Sequence, residues 1–322
     1  MIRWGLCCIF REAPIKFRRT TAKYSARLST VERRRHFSDI CRHNAGSLFE
    51  ALQFCRHNDI RAFRINSQIL PLKTHPLLGY EIEDLPQSTE IVNAFKKCKT
   101  YGRRHDLRTS FHPDQFILLS SPNPEVTRRS IADLRYQAEV ADWVGADVIN
   151  IHAGGAYGNK GEALKRLVSQ IRRLPKCVRR RLTLENDDRV YTPRDLLPVC
   201  ERLEIPFVYD LHHHRCLPDG RNVENTTRQA LETWNREPLF HISSPLYPRQ
   251  DRNPRSHHDY INPDDFPDSW LNLGITVDVE AKAKELAVLD LMKAIEKKHQ
   301  KIKRICKVAT WYGLKSDPGN ER

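Results

Sequence analysis

Val-Ile-Asn-Ile-His at residues 148–152, Leu-Thr-Leu-Glu at 182–185 and Phe-Val-Tyr-Asp at 207–210 are three short β-rich runs, each ending on a side chain that can ligate a metal. Helical patterns over Gly161–Leu174 and Thr192–Leu203 separate them. A short apolar strand followed by a longer amphipathic stretch is the unit of a parallel sheet with crossover helices. Outward from this centre the unit recurs. Strands are expected at Ile2–Ile9, Ile60–Ile65, Leu107–Phe111, Leu239–Ile242 and Ile275–Val279, which brings the total to eight. The intervening helices are expected over Glu32–His57, Glu90–Arg104, Thr127–Gly145, Val223–Arg236 and Ala281–Lys298. Thr192-Pro193 supplies a capping hydroxyl and then proline at the first helical position, and Gly145 stands where a helix stops. Eight such units in 322 residues predict an α/β fold, a single-domain (β/α)8 TIM barrel over residues 1–304 with its active site at the C-terminal ends of the strands. Residues 305–322 read as a basic and polar C-terminal extension, disordered from Lys315 to Arg322. Pro245 to Ser269 lacks helical periodicity and reads as a long functional loop with a short helix near Pro263.

Charge bounds the partners. The chain carries 54 Lys and Arg against 40 Asp and Glu, a formal net charge of +14, and excess cations attract polyanions by counterion release. Nucleic acid is the leading candidate. No run of about 18 apolar residues exists, which excludes a membrane-spanning helix. Nine cysteines, an odd number without any Cys-x-x-Cys pair, favour a reducing interior over a disulfide framework. The expected location is therefore intracellular: cytoplasmic, and nucleoid-associated in a bacterium. The first 35 residues are Arg-rich and acid-poor like a transit peptide, but they contain the run Ile2–Ile9 that a barrel would use as its first strand.

Candidate ligands follow from position. Strand three runs into His112, strand four ends in His152, strand five in Glu185 and strand six in Asp210. Strand seven contains His241, and Glu280 follows strand eight. Six imidazoles and carboxylates converging on one rim would repel one another and lose hydration unless cations shared them. His213, in the run Asp-Leu-His-His-His, and His257, in Arg-Ser-His-His-Asp, are two further donors. Of His212, His213 and His214 only one is expected as a ligand. Asp187 and Asp188 suit turn formation or capping as well as coordination. Such a cluster suits phosphodiester hydrolysis, because one cation activates water while others neutralise phosphate and leaving oxygens. Glu185 or Glu280 could bridge two ions.

These residues lie in motifs that resemble the ultraviolet damage endonucleases. The motifs are Gly-Leu-Cys-Cys at 5–8, Phe-His-Pro-Asp-Gln-Phe at 111–116, Ile-Asn-Ile-His-Ala-Gly-Gly-Ala-Tyr-Gly at 149–158, Leu-Glu-Asn-Asp-Asp at 184–188, Asp-Leu-His-His-His at 210–214, Phe-His-Ile-Ser-Ser-Pro at 240–245 and Glu-Ala-Lys-x-Lys-Glu at 280–285. They fall in family order across nearly the whole chain. The resemblance implies a barrel related to the endonuclease IV type, and hydrolytic incision immediately 5′ to a cyclobutane pyrimidine dimer or 6-4 photoproduct that leaves a 3′ hydroxyl. It implies up to three divalent ions, commonly Mn²⁺, with Zn²⁺, Co²⁺ or Mg²⁺ as alternatives. Their ligands would be His112, His152, Glu185, Asp210, His213, His241, His257 and Glu280. His75 resembles a family active-site histidine, placed with Glu185 and Glu280 among the catalytic candidates. Gln115 and Phe116 resemble the pair that enters the duplex at the extruded lesion; from the residues alone, a buried Phe with a capping Gln fits as well. Arg255 and Lys160 are candidate phosphate contacts, with Lys282 and Lys284 behind them.

Two positions depart from the family pattern. Leu239 stands where members carry a lysine, and Asp278 where a methionine is usual. Strand alternation points Asp278 to the same side as Glu280, where it would add a carboxylate or pair with a base. The partner the resemblance implies is double-stranded DNA with ultraviolet lesions, acted on by a monomer without an obligate protein partner. Two other readings fit the ligand set: a metal-dependent sugar isomerase of the xylose-isomerase-like kind, which leaves +14 unexplained, and a non-catalytic damaged-DNA-binding protein, which would not need eight crowded ligands.

Overall fold

A computed structural model describes residues 2–247 and 254–311, with side chains to residue 301. Among the described residues, eight parallel strands close into a barrel in sequence order, β8 pairing with β1. They are β1 (Arg3–Cys7), β2 (Ala62–Ile65), β3 (Arg108–Phe111), β4 (Val148–His152), β5 (Leu182–Glu185), β6 (Phe207–Asp210), β7 (Leu239–Ile242) and β8 (Thr276–Val279). Helices α1 (Ala22–Ser25), α2 (Thr30–His57), α3 (Ser88–Arg104), α4 (Pro124–Val144), α5 (Lys160–Arg173), α6 (Lys176–Arg179), α7 (Pro193–Leu203), α8 (Leu211–Cys216), α9 (Val223–Glu232) and α10 (Glu285–Trp311) connect and cover them. The expected barrel is the observed one. No helix among the described residues is long and apolar enough to cross a membrane.

Local chemistry sets the helix ends. The Ser29 hydroxyl accepts from the Glu32 N–H while the Glu32 carboxylate accepts from the Ser29 N–H, a reciprocal cap worth about 1 kcal/mol that starts α2 two residues before Glu32. Helix α4 begins at Pro124 rather than Thr127, because Asn123 accepts from the Glu125 N–H and proline takes the first position. It stops at Gly145, whose φ of +81° suits a residue without a Cβ. Thr192 and Asp195 form the expected cap on α7. Helix α10 runs through residue 304 to Trp311, and the tail from residue 312 lies outside the described residues.

The strands divide their two faces by chemistry. Leu6, Phe63, Phe111, Ile149, Ile151, Leu184, Phe207, Tyr209, Phe240, Ile242 and Val277 are buried toward the helices, which present apolar stripes such as Phe37, Cys41, Leu48, Leu52 and Cys55 of α2. By alternation and the observed register, the opposite face turns Gly5, Cys7, Arg64, Arg108, Ser110, Asn150, Thr183, Asp210, His241, Thr276 and Asp278 inward. Most parallel strands are apolar on both faces. Here the inner face is polar except for Val148, Val208 and Leu239, and rises toward a rim of titratable groups.

Candidate metal centre

Seven of the eight expected ligands form three adjoining groups whose ligating atoms lie within 4.8 Å of one another: His112–His152–Glu185, His112–His241–Glu280 and Glu185–Asp210–His213. Glu185 joins the first group to the third, and His112 joins the first to the second. The hydrogen-bond geometry is tight. His112 Nε2 donates to Glu185 Oε2 at 2.9 Å and His241 Nδ1 to Glu185 Oε1 at 3.1 Å; His213 Nδ1 lies 3.3 Å from Glu185 Oε1, and His241 Nδ1 3.4 Å from Glu280 Oε1. The eighth, His257, sits at the edge with Nδ1 3.9 Å from Glu280 Oε2. It is returned to the rim by an antiparallel bridge between Pro245 and His257, which folds the long loop back on itself. The loop's short helix appears as a 3-10 turn at Pro263–Asp265, where one was expected.

Electrostatics follows from burying acids and imidazoles against one another. Burial opposes the charge on Glu185, yet His241, His152 and His112 outweigh it and hold its carboxyl well below the usual range. Burial likewise opposes ionisation of Glu280, and Arg64 and then His241 hold it low. Burial pulls the His241 imidazolium down, but Glu185 and Glu280 raise it to about 9. His213 is raised in the same way by Asp210 and Glu185 against burial. His152, where burial dominates, is lowered. Protons thus hold together in the metal-free cluster groups that a cation would hold otherwise. Asp210 Oδ2 and His152 Nδ1 are buried without a hydrogen-bond partner. Orphaned lone pairs of this kind cost about 1–3 kcal/mol each unless something answers them, and an oxygen-and-imidazole donor set of this composition fits divalent cations.

The other candidates lie around this centre. His214 is held by Tyr209 Oη and Asp219 Oδ1 at 2.7 and 3.0 Å, and His212 Nε2 donates to the Arg255 carbonyl at 3.4 Å, so only His213 of the triplet turns into the groups. The Asp187 carboxylate accepts N–H groups from Arg189, Val190 and Tyr191, which is turn formation. Lys160 Nζ is 2.6 Å from Asp195 Oδ2 and Arg255 Nε 3.2 Å from Asp188 Oδ2, so these two candidate phosphate contacts are tethered to carboxylates. His75 belongs to none of the three groups; its Nδ1 accepts from the Leu77 and Leu78 N–H groups. It shares a cavity of about 360 Å³ with Asp114 and Phe116. Phe116 is 73% exposed, which rules out the buried-core placement. Leu239 packs against Val148 and Val208 inside the barrel.

Three participants were not singled out in the sequence. Arg64 on β2 is ion-paired to Glu280, Asn150 on β4 donates to Glu185, and Asn186 exchanges hydrogen bonds with the Asp210 backbone at 2.8 and 3.0 Å. The first two carried a signal, a polar residue on the inward phase of an apolar strand. Glu285, last residue of the 280–285 motif, instead accepts N–H groups from Arg11, Glu12 and Ala13 and ties down the loop after β1.

A parallel eight-stranded barrel with imidazole and carboxylate groups gathered at its strand ends defines a class of candidate divalent-metal enzymes. Within that class the chain belongs to the UV-endonuclease UvdE family, whose model matches residues 2–313. It is 35% identical over 278 residues to the UV DNA damage endonuclease of Bacillus cereus (strain ATCC 10987 / NRS 248), covering 83% of this chain and 85% of the relative. The crystal structure of SacUVDE superposes with a TM-score of 0.81 at 27% identity, over 93% of this chain and 99% of that one. D-Psicose 3-epimerase from Clostridium cellulolyticum H10, with a TM-score of 0.55 and 11% identity over 93% and 98% of the two chains, shares the fold alone.

Proposed function

We propose that this protein is a DNA-repair endonuclease that hydrolyses the phosphodiester immediately 5′ to ultraviolet photoproducts, acting as a monomer inside the cell with two or three divalent ions, Mn²⁺ first among them. The observation that carries this reading is the set of three adjoining ligand groups joined through Glu185 and His112 at the strand-end rim. His112, His152, Glu185, Asp210, His213, His241, His257 and Glu280 would hold the ions, with Glu185 the natural bridge because it belongs to two groups. Bound ions would supply an activated water and charge neutralisation for the phosphate and leaving oxygens.

The chain's own residues account for recognition. Phe116, exposed on the loop that leaves His112, offers an aromatic face to replace stacking lost when a lesion is extruded, with Gln115 beside it. A photodimer stacks poorly, so extruding it costs less than extruding two normal bases. His75 lines the cavity that Phe116 borders and would meet DNA there rather than an ion. Arg255 and Lys160 would exchange their carboxylate partners for phosphate oxygens on binding. Excess positive charge across the chain favours a duplex over a small neutral sugar.

The test is to incubate the protein and Mn²⁺ with irradiated and unirradiated supercoiled plasmid and to score nicks. Irradiation-dependent nicking with cuts mapped 5′ to the lesion is expected. Binding to irradiated DNA without nicks would replace the proposal with a damage-binding protein, and neither binding nor nicking would overturn the DNA reading altogether.

A further inference from the structure

Just below the rim, His241 and Asp278 are register partners across the β7–β8 pairing. His241 directs Nδ1 at Glu185 and Glu280, so its other nitrogen faces away from the ligand groups. That nitrogen, Nε2, lies 3.8 Å from Asp278 Oδ2. Both residues are fully buried, and neither His241 Nε2 nor either Asp278 oxygen has a hydrogen-bond partner. The opposite strand makes room for the carboxylate: Gly5 pairs with Asp278, and a Cβ on Gly5 would fall 2.0 Å from Asp278 Oδ1. No other residue type fits at position 5 while Asp278 keeps this rotamer.

A buried carboxylate with both oxygens empty is costly, and so is an imidazole nitrogen with no partner. Two donors are at hand. Arg64 is ion-paired through Nη1 to Glu280 and keeps a buried Nε without a partner, whereas His241 is the register partner of Asp278 and already holds Nε2 3.8 Å from its Oδ2. Closing the His241–Asp278 gap to hydrogen-bond length takes a shift of about 1 Å.

We infer that Asp278 is a positioning residue of the metal centre: its carboxylate accepts the Nε2–H of His241 and so fixes the imidazole with Nδ1 turned toward Glu185 and Glu280, donating to Glu185 in the metal-free protein and free to offer its lone pair once a cation displaces that proton. The inference rests on the metal-centre reading above and extends it to a residue that touches neither ion nor DNA. Only one tautomer can both donate to Asp278 and offer a lone pair to a cation. A carboxylate behind a metal-binding imidazole sets ring orientation and raises basicity.

The test uses ion counting and ring chemistry rather than incision. Mn²⁺ is titrated into metal-free wild type, Asp278→Asn and Asp278→Met proteins, with free ion followed by electron paramagnetic resonance. In parallel, the His241 ring N–H signal is recorded by NMR on the Mg²⁺-loaded ¹⁵N-labelled proteins. In Asp278→Met one ion is expected to bind about 10- to 100-fold more weakly, with the others unchanged. The Nε2–H signal, slow to exchange in wild type, is expected to vanish into solvent exchange. Asp278→Asn keeps a weaker acceptor and is expected to show a smaller loss and an upfield shift, which decides the matter should the Met variant fail to fold. Unchanged affinity, an unaltered Nε2–H signal in the variants, a proton found on Nδ1 in the Mg²⁺-loaded wild type, or a uniform weakening of all ions that tracks a fall in Tm would each overturn the inference. Wild type that binds no divalent ion would instead bring down the metal-centre reading itself.

Discussion

The two ends of the barrel interior are both crowded with charge, yet they solve the same problem differently. At the N-terminal end, arginines meet carboxylates directly: Arg108 Nη2 is 2.9 Å from Asp147 Oδ2, Arg3 Nε is 2.8 Å from Glu237 Oε1, and Thr276 links Arg108 to Glu237. At the C-terminal end, carboxylates meet imidazoles, which are charged only when protonated, and several lone pairs are left over. One end is closed by its own residues, Arg236 included, whose Nε makes no hydrogen bond but lies 3.5 Å from Asp147 Oδ2. The other is completed by something added. The sharpest way to break this contrast is Glu185→Gln, which keeps the side chain's size and removes the charge shared by two ligand groups. Irradiation-dependent nicking should fall by more than the ~100-fold typical of losing a residue that only orients a ligand, while a filter-binding assay on irradiated DNA should change by less than tenfold, roughly. A Glu185→Gln protein that nicks normally would mean the rim is a network like the one below it.

The reciprocal substitution is Arg108→Met at the closed end. Arg108 is almost fully buried, whereas Asp147 is partly exposed and keeps Arg236 Nε 3.5 Å from its Oδ2, so the carboxylate is left neither dry nor alone. The expected cost is about 3 kcal/mol, the lower end of the range for breaking a buried pair. Urea unfolding of the metal-free protein should show this, with Mn²⁺ affinity unaltered. If Arg108→Met weakens Mn²⁺ binding as much as it weakens the fold, the two ends are coupled and the contrast drawn above is false.

Much of this was legible in the chain because alternation is rigid in a strand. A residue two positions from an inward ligand is itself inward, so His152 implies Asn150, and Glu280 implies Asp278. The six strand-end ligands could be placed by that rule alone. His213 and His257 could not, because each depends on local geometry with little periodicity: α8 is only six residues long, and the bridge at Pro245 spans a segment without helical or strand pattern. The partner of Glu280 was hidden for another reason. Strand phase marks the arginine of Ala-Phe-Arg-Ile as inward but does not name its partner, which follows only when closure of β8 on β1 brings β2 within reach of β8. Phe116 shows the limit of composition, since an apolar ring between Gln and Ile reads as core until the loop that carries it is placed.

Protonation gives the finest distinction between the two ends. At the metal-binding end His241 is raised from an ordinary 6.5 to about 9 because Glu185 and Glu280 outweigh burial, and His213 is raised in the same sense. A folded-state pKa above the unfolded one adds stability that is complete below pH 6.5 and lost as pH rises through about 9. The metal-free protein should therefore weaken across that window. Cations need the unprotonated rings, so binding must expel these protons and strengthen as pH rises. The difference in unfolding free energy between Mn²⁺-loaded and chelator-treated protein is expected to widen by about 1.4 kcal/mol per pH unit for each proton displaced. Urea titrations at a series of pH values measure it, and calorimetry in buffers of different ionisation enthalpy counts the protons released. A constant difference with no proton release would mean that the ions bind away from His241 and His213. Arg108→Met should leave the slope untouched, because nothing at the closed end exchanges protons for ions.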